Sequence, residues 1–161
     1  MEFKNGKHQL NFPLIIAIKG PSNNKKSEIA IKLANFLRCP LFDEADIILA
    51  LENSTDESYD DDLPFEIIFQ LSSTQLSLKL NVIINSVLSK HTHFENLLQL
   101  ASSNGAGLLI IDCESPNDGV GAIDSVPKLN IDTNKPFVVE EFVHTMLREL
   151  EFPQETNEAY D

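Results

Sequence analysis

The chain has 161 residues, a length typical of one domain built around a single hydrophobic core. Hydrophobic residues make up 42% of it, which is typical of a globular protein and excludes a collagen-like, coiled-coil or disordered chain. The formal net charge of −13 repels nucleic-acid phosphates and anionic lipids, so we expect neither nucleic-acid nor membrane binding.

The first part of the chain predicts a strand, a polar loop and a helix. Residues 13–18 form an uninterrupted apolar run rich in β-branched side chains, which is typical of a strand buried on both faces of a parallel sheet. After the loop, apolar residues recur at helical spacing over 26–38. A second short strand is predicted over 40–43, and a short helix over 46–51.

The rest of the chain continues the alternation of strands and helices. A long helix is predicted over 64–76, with its proline in the first turn, and a strand over 81–85. The capping box Thr92-x-x-Glu95 indicates the start of the next helix. Two further strands and a last helix follow, over residues 107–112, 127–132 and 139–150. This alternation predicts a three-layer α/β sandwich around a parallel sheet.

We predict one folded domain over residues 13–151, preceded by an extension, 1–12, and followed by an acidic tail, 152–161. The charge within the domain is uneven, because no Lys or Arg occurs in the stretch 39–78, which holds ten acidic residues. The most acidic part, the acidic loop 52–62, is typical of a solvated surface loop. The alternative is that it binds a basic protein partner or a cation.

The cysteine content and the N-terminus bear on location. Two cysteines are too few for a disulfide framework, and the first residues contain no apolar segment of the kind found in secretory signals. The longest apolar runs are far shorter than the ~18 residues needed to cross a bilayer. We therefore expect an intracellular protein located in the cytoplasm.

The most informative segment lies between the first strand and the first helix. It reads Gly20-Pro-Ser-Asn-Asn-Lys-Lys26-Ser27 and nearly fits the phosphate-loop pattern G-x-x-x-x-G-K-[ST]. In that motif, backbone N–H groups and a helix N-terminus surround a phosphate, the lysine binds the outer phosphates and the hydroxyl binds Mg²⁺. The segment therefore predicts a site for ATP, with Ser27 on Mg²⁺.

The segment departs from the motif at the glycine before the lysine, which is Lys25 here. Where that glycine has a positive φ angle, a residue with a Cβ atom costs about 1–2 kcal/mol. Asn23 and Asn24 tolerate left-handed geometry, and Lys25 adds a positive charge. We therefore predict a reshaped loop that binds a nucleotide weakly or not at all. The predicted binding residues are Gly20, Asn23, Asn24, Lys25, Lys26 and Ser27.

Three other segments accompany the phosphate loop: PLFDEADI (40–47), NVIINSVLS (81–89) and VPKLNIDT (126–133). Together the four segments resemble the small P-loop kinases, a nucleoside- and nucleotide-kinase-like group that includes zeta-toxin-like and chloramphenicol-phosphotransferase-like enzymes. The likeness spans most of the chain and is of the kind found in plant P-loop proteins. It implies a five-stranded parallel sheet with strand order 2-3-1-4-5 and ligands at the carboxyl ends of the strands.

The resemblance also implies that parts of the family's active site are missing. Asp43 and Asp46 keep carboxylates where the family binds an acceptor or a metal. Ala45 replaces an acid there, and Ile48 replaces an arginine. At the third strand, Asn85 replaces the family's acidic residue and cannot act as a base.

The family's lid is the largest loss that the resemblance implies. Thirteen residues, 114–126, stand where the family has a helix and a mobile lid with arginines that close over the phosphates. The two arginines of the chain, Arg38 and Arg148, lie in the first and the last predicted helix. Because phosphoryl transfer depends on positioned cations and on the exclusion of water, we expect catalysis to be severely impaired.

The sequence leaves two functions to be distinguished. The leading hypothesis is a degenerate P-loop kinase-like domain that acts as an interaction or regulatory module. The alternative is an active ATP-dependent small-molecule kinase or ATPase, in which Lys26 and Ser27 hold ATP–Mg²⁺. In that enzyme Asp43 or Asp46 would be the base.

Overall fold

A six-stranded sheet forms the centre of the structure, a computed structural model that describes residues 13–54, 56–114, 119–123 and 126–160. The strands are β1 (Leu14–Lys19), β2 (Leu41–Asp43), β3 (Val82–Asn85), β4 (Gly107–Asp112), β5 (Gly119–Ile123) and β6 (Val126–Asn130). Their order in the sheet is β2-β3-β1-β4-β6-β5.

Five of these strands, β2, β3, β1, β4 and β6, are parallel. With β6 counted as the fifth parallel strand, their order is 2-3-1-4-5, so the predicted α/β fold and strand order are confirmed. The sixth strand, β5, pairs antiparallel with β6 at the edge of the sheet. It was not predicted, because its five residues include Gly119 and Gly121 and carry no strand-like apolar pattern.

The ends of three neighbouring strands form a polar edge of the sheet. Leu14–Ile18 of β1 are all buried, as expected for a strand covered on both faces. The parallel register places Ile18 beside Asn85 of β3 and Lys19 beside Asp112 of β4. The carboxyl ends of β1, β3 and β4 therefore end on polar residues at one edge.

Among the described residues, five helices pack around the sheet. They are α1 (Asn24–Leu37), α2 (Glu44–Ser54), α3 (Leu63–Ser77), α4 (His91–Ser103) and α5 (Val139–Tyr160). On one face, Ile29 of α1 and Met146 of α5 pack in a core with alternate residues of β1. On the other face, Ile68 of α3 and Leu97 of α4 pack against the remaining residues of β1. The result is the predicted three-layer arrangement.

Several helix ends differ from those predicted. The start of α4 is His91, and Lys90 at its N-cap makes no side-chain cap hydrogen bond. Thr92 lies inside the first turn, so the predicted capping box is wrong. Helix α2 extends through Ser54 into the predicted acidic loop, and α5 extends beyond residue 150 through Tyr160.

The predicted boundaries at residues 12 and 151 stay predictions. The extension 1–12 lies outside the described residues, and the backbone of 152–160 continues α5. None of the helices in the described ranges is both long and apolar enough to span a bilayer.

Candidate phosphate-binding site

The carboxyl edge of the sheet collects the residues that follow four of its strands. Gly20 follows β1, Glu44 follows β2, Ser86 follows β3 and Cys113 follows β4. Ligands of open parallel α/β sheets bind at this edge. The predicted phosphate loop lies here, between β1 and α1.

Gly20 begins the loop, and the geometry requires a glycine there. Its φ angle is +136°, a conformation that residues with side chains rarely adopt. A Cβ atom at this position would lie 3.3 Å from the side chain of Glu114 and 3.4 Å from Cys113. The N–H of Gly20 donates to the carbonyl of Val87 at 3.3 Å, so the loop is also bound to the segment after β3.

Asn23 is the N-cap residue of α1. Its Oδ1 accepts a hydrogen bond from the backbone N–H of Lys26 at 2.8 Å, which satisfies one of the free donors of the first turn. Because α1 begins at Asn24, Lys25 lies within the helix and does not have a positive φ angle. The condition for strain at Lys25, a positive φ angle, is therefore not met, and weak nucleotide binding by a reshaped loop stays a prediction.

Lys26 is buried, with 1% of its surface exposed. Its Nζ donates a hydrogen bond to the backbone carbonyl of Ser86 at 2.7 Å. Burial lowers the pKa of Lys26 from 10.5 to about 8, while the nearby Cys113 and Asp43 act in the opposite direction. The amino group predicted to bind phosphate thus has a partner within the protein.

Two acidic residues at the end of β2 bind the end of β3. Oδ2 of Asp43 accepts a hydrogen bond from Nδ2 of Asn85 at 3.0 Å. Oε1 of Glu44 accepts from the hydroxyl of Ser86 at 2.9 Å and from the N–H of the next residue at 3.3 Å. The charges of both carboxylates raise the pKa of Lys26 against the effect of burial. Asp43 and Glu44, at the end of β2, therefore both bind residues at the end of β3.

The end of β4 adds two ion pairs to this edge. Lys19 pairs with Glu114, whose charge also acts on Lys26. The buried Asp112 accepts a hydrogen bond from the N–H of Glu114 at 2.8 Å and lies 3.5 Å from Nζ of Lys128. Lys19, Lys26 and Lys128 therefore all have partners within the protein.

The structure brings most of the predicted site residues to one place. Gly20, Lys26 and Asp43 lie at the carboxyl edge, and Ser27 is half-buried in the first turn of α1. Asp46 is exposed on α2 and is not among the groups whose charge acts on Lys26.

Sequence reasoning missed Glu44, Ser86 and Glu114 as members of the site. Glu44 and Ser86 directly follow β2 and β3, and Glu114 is the second residue after β4. Because the carboxyl ends of parallel strands meet, polar residues at these positions gather at one edge. Their place after each predicted strand was the signal that could have identified them.

Lys25 borders a cavity between α1 and the loop that follows β6. The cavity has a volume of about 330 Å³ and is lined by residues of α1, including Lys32, and by residues 133–137. This volume lies at the lower end of the range for small-molecule sites. In the part of the chain that the structure describes, no group of three or more His, Cys, Asp or Glu residues is arranged to hold a metal ion.

Comparison with known proteins finds similarity only at the level of structure. No protein-family model matches the sequence, and no curated protein matches it. The APS kinase of Mycobacterium tuberculosis superposes with a TM-score of 0.62 at 14% identity, and the alignment covers 87% of this chain and 98% of that one. A structure of that enzyme in complex with AMPPNP and APS gives a TM-score of 0.54 at 14% identity, over 65% of this chain and 64% of that one.

A gluconokinase from Sinorhizobium meliloti is similar over nearly the whole of both chains. Its TM-score is 0.57 at 15% identity, and the alignment covers 92% of this chain and 99% of that one. Identities this low carry information about the fold alone. Together with the strand order and the position of the phosphate loop, these similarities establish that the chain has the fold of the P-loop kinases.

Proposed function

We propose that this chain is a degenerate P-loop kinase-like domain that binds ATP weakly or not at all and acts as an interaction or regulatory module. One observation carries the proposal: the buried Lys26 donates to the carbonyl of Ser86 at 2.7 Å. An ammonium group has three N–H donors, but this one is buried, so a phosphate could reach it only if the surrounding loop moved. Such a movement would also weaken a hydrogen bond from a charged group, which contributes about 1.5–3 kcal/mol.

The charges at the carboxyl edge also oppose a triphosphate. Three carboxylates, Asp43, Glu44 and Glu114, lie near enough to Lys26 to raise its pKa against the effect of burial. A triphosphate beside Lys26 would be repelled by them, and this repulsion is stronger in a partly buried site than in water. Phosphoryl transfer also needs a group that activates the acceptor, and Asn85 cannot act as a base.

ATP–Mg²⁺ fits the residues present only in part. The first N–H groups of α1 and the side chain of Lys25 would face a phosphate, and the Ser27 hydroxyl would face Mg²⁺. Lys26 is buried and donates one of its N–H groups to Ser86, so it is not open to a phosphate in this structure. We therefore expect weak binding at best.

Titration calorimetry with ATP–Mg²⁺ tests this proposal. We expect a dissociation constant of about 1 mM or weaker, and no transfer to a panel of nucleoside and sugar acceptors. Lys26→Ala should leave any residual affinity unchanged, whereas loss of a lysine that contacts phosphate would cost about 1.5–3 kcal/mol. Lys128→Ala is the matched control, because Lys128 is a second lysine at this edge with an internal partner. Affinity of about 10 µM or tighter, lost in Lys26→Ala only, would contradict the proposal.

The alternative is an active ATP-dependent small-molecule kinase or ATPase. The cavity of about 330 Å³ along the side of α1 favours it, because it borders Lys25 of the phosphate-loop segment and is large enough for a small molecule. In this enzyme Lys26 would exchange the carbonyl of Ser86 for a phosphate, and Asp43 would be the base. Turnover would then disappear in Lys26→Ala and in Asp43→Asn but persist in Lys128→Ala.

The interaction role is supported by the acidic loop. Most of its described residues are exposed, and the surrounding stretch 39–78 contains no Lys or Arg. Lys90 pairs with Asp62 at 2.7 Å and neutralises only part of this charge. We propose that the acidic loop attracts a basic protein partner. Binding of such a partner should weaken as the salt concentration rises to physiological strength, and insensitivity to salt would contradict this role.

A further inference from the structure

Helix α3 is apolar on two faces, and only one of them packs against the sheet. The inner face is buried and includes Phe65 and Ile68. On the outer face, Leu63, Ile67 and Leu71 follow one another at intervals of four residues, which places them in one row along the helix. The side chain of Leu71 is 41% exposed. The first nine residues of α3 include only two polar side chains, Glu66 and Gln70, so this part of the helix has apolar surface on its outer face for a second partner.

The outer face borders a groove on the surface of the protein. The groove has a volume of about 640 Å³ and includes Leu63, Ile67 and Leu71 of α3 together with Asn96 of α4. Apolar side chains make up most of its α3 wall. Its length along α3, two helical turns, corresponds to about 12 Å, which suits the side chains of one short helix.

Acidic residues lie at the N-terminal part of this groove. Glu66 lines it directly and is exposed. Asp60 and Asp61 are exposed shortly before α3 begins at Leu63. Because the stretch 39–78 contains no Lys or Arg, no basic residue of this stretch offsets the negative charge at that part of the α3 wall. An apolar groove with a negative border is complementary to a helix that has apolar residues on one face and basic residues on the other.

We propose that the groove on the outer face of α3 binds a basic amphipathic helix of a partner protein. The apolar face of that helix would cover Ile67 and Leu71, and its Lys or Arg residues would lie near Glu66 and Asp60. The proposal rests on the interaction role proposed above and assigns it a surface. A second copy of this chain is a poorer occupant, because it would bring its own acidic residues against the same acidic border.

A synthetic helix of Leu and Lys, about five turns long, is the probe. Its affinity for the full chain is measured by fluorescence anisotropy at physiological salt, with no nucleotide present. We expect Leu71→Ser to weaken binding about tenfold, because the apolar contact of one leucine is lost. The control variant is Ile31→Ser, since Ile31 is 61% exposed on α1 at the opposite face of the sheet. It should change the affinity by less than about twofold.

A second pair of variants tests the charge. Glu66→Gln should weaken binding of the same peptide about threefold, whereas Glu140→Gln, at an exposed position on α5, should not. A control peptide with Glu in place of Lys should not bind. Thermal melting of each variant shows whether it is folded, and we expect all four to melt like the wild type, because each replaced side chain is exposed.

The proposal is overturned if Leu71→Ser and Ile31→Ser lower the affinity equally or not at all, or if the acidic peptide binds as well as the basic one. It is also overturned if sedimentation without peptide reveals a dimer that Leu71→Ser dissociates, since the occupant would then be a second copy. Salt-sensitive peptide binding that ignores Leu71→Ser would leave the interaction role intact and remove only the groove. The nucleotide titration is a separate measurement and is unaffected by any of these outcomes.

Discussion

The phosphate loop and the outer face of α3 differ in what a ligand would have to displace. At the phosphate loop the lysines have partners within the protein, because Lys26 donates to the backbone carbonyl of Ser86 and Lys19 pairs with Glu114. On the outer face of α3, Leu71 and Glu66 are exposed to solvent. A ligand at the first region competes with partners supplied by the protein, whereas a ligand at the second displaces water. We therefore expect the motif to be a poorer indicator of binding here than the exposed surface of α3.

The largest expected effect separates the two faces of α3. Ile68 is fully buried and Leu71 is exposed, only three residues away. Ile68→Ala should lower the free energy of unfolding by about 2–5 kcal/mol, and Leu71→Ala should change it by less than about 0.5 kcal/mol. Urea denaturation of the two variants measures the difference. Equal losses would show that the outer face is part of the core, and the comparison would fail.

The pH dependence of stability tests the burial of Lys26. Its pKa is about 8 in the folded protein, against an ordinary value of 10.5, so the unfolded chain binds more protons in this range. Stability should therefore rise between pH 8 and pH 10.5, by about 3 kcal/mol, and Lys26→Met should lack this rise.

Two thiols act against this rise at the upper end of the range. Burial raises the pKa of Cys39 and of Cys113 to about 11, so their ionisation favours the unfolded chain above pH 9. The difference between the wild type and Lys26→Met removes the contribution of Cys39, whereas the pKa of Cys113 rises further in Lys26→Met because the charge of Lys26 lowers it. Parallel pH curves for the two proteins would mean that Lys26 is solvated and free to bind a ligand.

Gly20→Ala sharpens the description of the loop. The φ angle of Gly20 is +136°, and a Cβ atom would meet Glu114 and Cys113 at 3.3–3.4 Å. We expect a loss of about 2 kcal/mol of stability. Gly105 is the control, because its φ angle is +61° and no atom lies within 4 Å of an added Cβ. Gly105→Ala should cost about 1 kcal/mol, and a cost equal to that of Gly20→Ala would mean that the loop is not tightly packed.

The smallest effect concerns Asp62, at the start of α3. Its hydrogen bond with Lys90, which has the larger effect, and its hydrogen bond with His93 hold the pKa of this carboxyl below its usual range. Asp62→Asn should lower the melting temperature slightly at neutral pH, because the ion pair is exposed. The difference from the wild type should vanish as the pH falls through the lowered pKa, since the protonated Asp62 loses the same interactions. A difference that persists in acid would assign the effect to packing.

The fold could be predicted because it depends on local patterns. The uninterrupted apolar runs of β1 and β4 are long enough to require burial on both faces, and the helical periodicity of α1 and α3 identified their buried faces. Strand β5 could not be predicted, since its glycines give no pattern. The capping box predicted at Thr92 was wrong, because this pattern is only four residues long and α4 begins at His91, one residue before Thr92.

The position of the candidate site could be predicted from the sequence, but the hydrogen-bond partner of Lys26 could not. The site's position follows from the motif between β1 and α1, which any reading of the sequence finds. The partner of Lys26 is a backbone carbonyl 60 residues further along the chain, and every residue has such a carbonyl. No side-chain pattern could reveal that contact. Glu44 could have been predicted as a member of the site, because it directly follows the predicted second strand.

The bond between Lys26 and Ser86 joins two segments that the chain order keeps apart. This hydrogen bond links the first turn of α1 to the connection between β3 and α4. Helix α4 in turn contributes Asn96 to the groove beside α3. An anion that bound the ammonium group of Lys26 and broke this hydrogen bond would free the connection that precedes α4. If that change also moved Asn96, occupancy of the phosphate loop and binding at the groove would be thermodynamically linked, each altering the other's affinity by the same factor.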